Sequence, residues 1–230
     1  MNTPQILFED NHLIAINKPA GWLVQGDETG DVPLSDWAKN YIKVRYEKPG
    51  DVFLGVIHRI DRPVSGVVIM ARTSKALERM NRMFQERKVQ KNYWAITGQR
   101  PDPLSGHLSH FLLKDTARNV VKAYERLSNR AKDAKPAELD YELVAEVDQY
   151  FMLEVRPITG RPHQIRVQLA QIGCPIWGDV KYGFPRPLPD SSIGLHCRSL
   201  SFIHPVQQTQ VNIIADPPDA HIWKTFRHLW

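Results

Sequence analysis

Two short runs concentrate the residue types that do chemistry: His58-Arg59-Ile60-Asp61-Arg62-Pro63-Val64-Ser65-Gly66 and Thr159-Gly160-Arg161-Pro162-His163-Gln164-Ile165-Arg166. In the first, one carboxylate, Asp61, stands among a histidine and two arginines in a turn ahead of an apolar stretch. Neighbouring guanidinium groups favour the ionised carboxylate, which suits a nucleophile or an electrostatic stabiliser better than a proton donor. Taken alone, the run reads equally well as a structural salt bridge at a strand entry. Arg166, taken alone, reads as a solvent-facing helix residue, His163 as a structural hydrogen-bonding residue and Tyr93 as a core aromatic.

Other chemistries lack the spacing they need. The chain contains no GxxxxGK[ST], no strand-linked GxGxxG and no HExxH among its nine histidines. His107 and His110 with Cys174 or Cys197 match no strong metal-ligand spacing, and Ser65-Gly66 lacks the GxSxG elbow. The nucleotide-binding and zinc-peptidase readings fall away.

The elements that must position these runs follow from periodicity. Ile6–Phe8 and Leu13–Asn17 alternate as a hairpin around Glu9-Asp10-Asn11-His12, Leu34–Tyr46 reads as a helix, and Val64–Met70 reads as a buried strand. From Arg72 to Lys91, seven cations against two anions give a local charge of +5. Leu77, Met80, Met83 and Phe84 recur there at helical spacing behind Ser74, a candidate cap, so the segment reads as an amphipathic helix with one basic face. Tyr93–Thr97, Val120–Arg126, Ala137–Glu146, Phe151–Pro157, Leu195–Ile203 and Gln210–Ala215 read as strands, and Asn129–Lys135 as an exposed loop. Gly160-Arg161-Pro162 opens a helix through Gln164–Ala170 that Gly173 ends, Gly178-Asp179 with Tyr182-Gly183 reads as a buttressing turn, and Ala220–Leu229 reads as a closing helix. The irregular order of strands and helices favours an α+β fold with a largely antiparallel sheet over a doubly wound one.

Composition bounds the class. Of 230 residues, 42% are hydrophobic and 24% charged, which is enough apolar side chain for a core and excludes a disordered chain. No stretch approaches the roughly 18 apolar residues of a membrane span, and the N-terminal residues resemble no export signal, so a cytoplasmic protein is expected. Cys174 and Cys197, the only cysteines, read as reduced core thiols. The formal charge of +5 suggests a polyanionic partner through its distribution more than its size.

The run HRIDRPVSGVVIMART, preceded by INKPAGWLVQ and followed by KNYWAI, TGRPHQIRVQLAQIGCPIWGDVKYG and LHCRSLSFIHP, closely resembles the RluA family of RNA pseudouridine synthases. Five separated motifs occur in the family's order between Ile6 and Pro205. The resemblance implies the pseudouridine synthase fold, with a central, largely antiparallel mixed sheet flanked by helices and loops and an active-site cleft across the sheet. It implies Asp61 as catalytic aspartate, Tyr93 as active-site tyrosine and Arg166 as the arginine paired with the aspartate. Arg59 falls on the residue associated with flipping the target nucleotide. Lys18, Arg62, Arg161 and His163 lie in matching motifs and, with Arg79 and Arg82 of the basic helix, form the expected RNA-binding set. The chain departs from the common pattern at Val64, Pro162 and Gln168.

What the resemblance implies is an isomerase acting on uridine in a tRNA or rRNA stem-loop without a cofactor. A single catalytic domain over residues 1–230, with no N-terminal S4 domain, is expected to act as a monomer without a protein partner or a membrane. A target base must leave its stack at a cost of a few kcal/mol, which basic contacts and replacement stacking can offset. Two rivals remain at this point: a non-catalytic RNA-binding protein on the same fold, and a nucleobase-cleaving hydrolase, which would release free uracil. A glycoside hydrolase usually needs two flanking carboxylates, whereas these motifs offer one.

Overall fold

The computed structural model describes residues 3–129 and 131–230. In chain order the elements are β1 Gln5–Glu9, β2 Leu13–Lys18, α1 Leu34–Arg45, β3 Gly55–Val56, β4 Ser65–Ala71, α2 Ser74–Gln85, β5 Gln90–Thr97, β6 Ser105–Asp115, β7 Val120–Tyr124, β8 Lys135–Val147, β9 Tyr150–Pro157, α3 Gln164–Gln171, β10 Leu195–Ile203, β11 Gln210–Ile214 and α4 His221–Lys224. They form two compact units, residues 1–91 with 197–217 and residues 92–196 with 218–230. The chain crosses between units inside β5, again inside β10 and a third time between Pro217 and Pro218.

In the first unit the strands run β1-β2-β4-β10, with β3 on β4 and β11 on β10. β2 pairs antiparallel with β4, Leu13 opposite Ala71 through Lys18 opposite Gly66. Every residue of β4 is buried, which is why its sequence is a continuous apolar run without alternation. Gly66 has a φ of +115°, and a Cβ there would lie 2.3 Å from the Cys197 carbonyl oxygen, so only glycine permits this approach directly after the Asp61 turn. α2 buries Ala76 and Met80 and exposes Lys75 and Arg82, with Arg79 half-buried. Its cap is Thr73, whose hydroxyl accepts from the Ala76 N–H at 3.2 Å, and not the expected Ser74. The two-residue strand β3 escaped the sequence reading; it is too short to carry a strand pattern, and Gly55 in it packs directly under the Leu77 side chain.

In the second unit the order is β5-β9-β8-β6-β7, and all described pairings are antiparallel. Trp94, Ile96, Met152, Ile222, Trp223 and Phe226 form its core at the C-terminal end. The single closing helix expected over 220–229 is instead the one-turn α4 followed by a 3-10 turn at Arg227–Leu229. β6 was absent from the sequence reading because its polar residues mask a strand. His107 pairs across to Asp140 at 2.8 Å and His110 is buried against Gln168, so both serve the sheet. The expected loop over 129–135 contains Arg130, which lies outside the described residues; Ala131 and Ala134 within it are buried, and Lys135 already begins β8. Cys174 and Cys197 are both buried. None of the described helices is long and apolar enough to cross a membrane.

Candidate active site

Asp61 sits half-buried in a turn closed by the Val64 N–H donating to its carbonyl at 3.0 Å, immediately before β4. Arg62 fastens this turn to the preceding loop. Its Nη2 donates to Asp31 at 2.6 Å, its Nε donates to the Gly21 carbonyl at 3.0 Å, and its own carbonyl accepts from the Gly21 N–H at 2.8 Å. Arg59 is exposed beside the turn. His58 is not an acid or base here: its Nε2 accepts from the Ile69 N–H at 3.0 Å, its ring stacks on Phe84, and burial, helped by the Lys91 charge, pushes its pKa down to about 3.

Lys18 requires a correction. Expected on the RNA-binding surface, it is fully buried at the end of β2. Its ammonium donates to the carbonyls of Pro19 at 3.0 Å, Trp22 at 2.9 Å and Arg62 at 3.2 Å. Three donors meet three acceptors, so Lys18 binds the 19–22 loop to the Asp61-Arg62 turn. Burial lowers its pKa to about 7, opposed by the nearby Asp61 carboxylate. On α2, Arg79 is half-buried with Nη1 on the Pro205 carbonyl at 2.8 Å, whereas Arg82 is exposed and paired with Glu78 one turn away.

In the second unit Tyr93 lies opposite Val155 on β5. Its neighbour Trp94 enters the aromatic core, so strand alternation directs Tyr93 to the other face. The turn before α3 is folded by its own side chains. The Gln164 carboxamide oxygen accepts from the Thr159 hydroxyl at 2.7 Å and from the Arg161 N–H at 2.9 Å, while its nitrogen donates to the Glu138 carbonyl at 3.0 Å. Arg161 donates through Nε to the Pro136 carbonyl and stays exposed. His163, at a φ of 52°, precedes the first helical residue. Gln168 is buried and donates to the carbonyls of Leu108 and Ala137, which ties α3 to β6 and β8.

Arg166 brings in a residue whose role the sequence did not give. Its Nε and Nη2 donate to the two carboxylate oxygens of Asp179 at 2.7 and 2.8 Å, and the pair is almost fully buried. The guanidinium lies 5.0 Å from the centre of the Tyr182 ring, and the Tyr182 hydroxyl lies 2.6 Å from His163 Nδ1. The signal was the Gly178-Asp179…Tyr182-Gly183 turn, which is present as a 3-10 turn at Val180–Tyr182.

A model of the RNA pseudouridylate synthase family matches residues 12–171. Over 224 residues the chain is 34% identical to the ribosomal large subunit pseudouridine synthase C of Buchnera aphidicola, covering 94% of this chain and 68% of that protein. It is 29% identical over 223 residues to the Vibrio cholerae protein of the same name, covering 94% and 66%. The chain thus spans about two thirds of the length of these curated relatives. Among solved structures, human RNA pseudouridylate synthase domain containing 4 superimposes with a TM-score of 0.80 at 25% identity, covering 97% of this chain and 91% of that one. With its motifs, its fold and this match in agreement, the chain belongs to the RNA pseudouridylate synthase family.

Proposed function

We propose that the protein isomerises specific uridines of RNA to pseudouridine, with ribosomal RNA favoured over tRNA because the curated relatives carry ribosomal names. The observation that carries this reading is the family match over residues 12–171, which takes in Asp61, Tyr93 and Arg166 together. In the reaction the N1–C1′ bond breaks, the uracil turns while held, and C5 bonds to C1′. C5 releases a proton and N1 takes one up, so composition and oxidation state are unchanged.

Asp61 is the group assigned to C1′ attack or to C2′ proton removal. Its mounting supports either role, because the turn is held by Lys18 and Arg62 through hydrogen bonds on several sides. Tyr93 supplies a ring to hold the detached base and a hydroxyl near the C5 proton. Arg166 is the guanidinium that the family pairs with its catalytic aspartate. Arg59 is assigned to the space the flipped nucleotide leaves, and Arg62, Arg82, Arg161 and His163 to the RNA backbone. We assign the activity to a single catalytic domain that takes in both compact units and works as a cytoplasmic monomer.

Nucleoside analysis tests this. The purified protein, incubated with ribosomal RNA transcripts without metal or cofactor, is expected to convert uridine to pseudouridine with no free uracil. Free uracil would establish a hydrolase, and salt-sensitive RNA binding without product would establish a binding protein.

A further inference from the structure

We propose that Asp179 and Tyr182, on one short turn, are positioning residues with separable tasks: Asp179 sets Arg166 for turnover and Tyr182 sets His163 for substrate binding. The inference rests on the pseudouridine synthase reading and extends it to two residues outside the matched 12–171 segment.

The geometry of each hold is different in kind. Asp179 grips Arg166 by a two-pronged ion pair in which both side chains are nearly inaccessible to solvent. A fork-to-fork pair fixes the guanidinium plane as well as its position. The Tyr182 ring lies against that plane and adds a cation–π contact, worth most where water is excluded. Asp179 meets the guanidinium on its Nε edge, through Nε and Nη2.

Tyr182 also holds a ring. The Val121 N–H donates to its hydroxyl oxygen at 2.9 Å, and the same hydroxyl lies 2.6 Å from His163 Nδ1. The hydroxyl thereby fixes the orientation of the imidazole, a group that can bond a phosphate or ribose oxygen. The Tyr182 N–H donates to the Asp179 carbonyl at 3.1 Å, which keeps the two holds on one rigid turn.

Steady-state kinetics on an RNA substrate separates the two tasks. Asp179→Asn is expected to lower kcat by about 100-fold, as a misplaced catalytic group does, while KM stays near the wild-type value. Tyr182→Phe keeps the ring on Arg166 and removes the hydroxyl's hydrogen bonds with Val121 and His163, so it is expected to raise KM about fivefold with kcat retained. A wild-type kcat in folded Asp179→Asn, or the same parameter changing in both variants, would overturn the proposal. Asp179→Glu, which keeps the charge on a longer arm, takes the place of Asp179→Asn if that variant does not fold, with the same kcat loss expected.

A readout independent of RNA completes the test. In ¹⁵N spectra the Arg166 Nε–H signal is expected to exchange slowly in the wild type and rapidly in Asp179→Glu. Equal exchange in both would overturn the hold. If the wild type forms no pseudouridine from any RNA, the proposed function fails, and this exchange still decides whether Asp179 fixes Arg166.

Discussion

Arg166 and Asp179, thirteen residues apart, meet through two parallel hydrogen bonds of 2.7 and 2.8 Å in an interior where neither is solvated. A buried pair of this kind is costly to break, because the survivor is left as an unpaired charge. Arg166→Ala is expected to lower stability by about 3–5 kcal/mol, read from urea denaturation. Arg166→Met combined with Asp179→Leu removes both charges and is expected to recover most of that stability while remaining inactive, which separates the structural cost from the chemical one.

Lys18 gives a sharper contrast. A lysine on an RNA-binding face contributes to the salt dependence of binding, and its removal lowers the slope by about one unit. A lysine spent on three carbonyls does not. Lys18→Met is expected to leave the salt slope of RNA binding unchanged, to lower stability by about 1–3 kcal/mol through orphaned carbonyls, and to lower kcat through the loosened Asp61 turn.

Arg79 and Arg82, one turn apart on α2, are expected to part company. Arg82→Glu weakens RNA binding and lowers its salt slope with little change in Tm, because its pair with Glu78 is exposed. Arg79→Glu lowers Tm as well, since its guanidinium anchors α2 to the Pro205 carbonyl.

His58 sets an acid limit. Its pKa is about 3 when folded and the ordinary 6.5 when unfolded, so between these values the unfolded chain binds more protons. Its contribution to stability is present above pH 6.5 and is lost as pH falls toward 3. His58→Gln is expected to flatten that part of the stability curve, measured by urea unfolding between pH 4 and 7.

Much of this architecture was legible because burial writes itself into the sequence. β4, buried along its whole length, is an uninterrupted apolar run, and α2 carries its apolar stripe at helical spacing. β6 was illegible for the converse reason: His107, Ser109 and Lys114 face solvent and break the apolar pattern. Within the candidate site, the motifs gave the residues but not their mounting. Lys18 is a cation that composition assigns to the surface, and only the convergence of three carbonyls shows why it is inside. The partnership of Arg166 with Asp179 is a long-range pairing, and nothing in local spacing announces which of many carboxylates a buried arginine will meet.

The central claim is most directly tested with RNA carrying tritium at uridine C5, comparing the wild type with Asp61→Ala in the absence of metal and cofactor. C5 gives up its hydrogen when it becomes bonded to the sugar. Tritium release by the wild type, with no free uracil and no release by Asp61→Ala, is the predicted result. Equal release by Asp61→Ala, or salt-sensitive RNA binding by the wild type without any release, would contradict it.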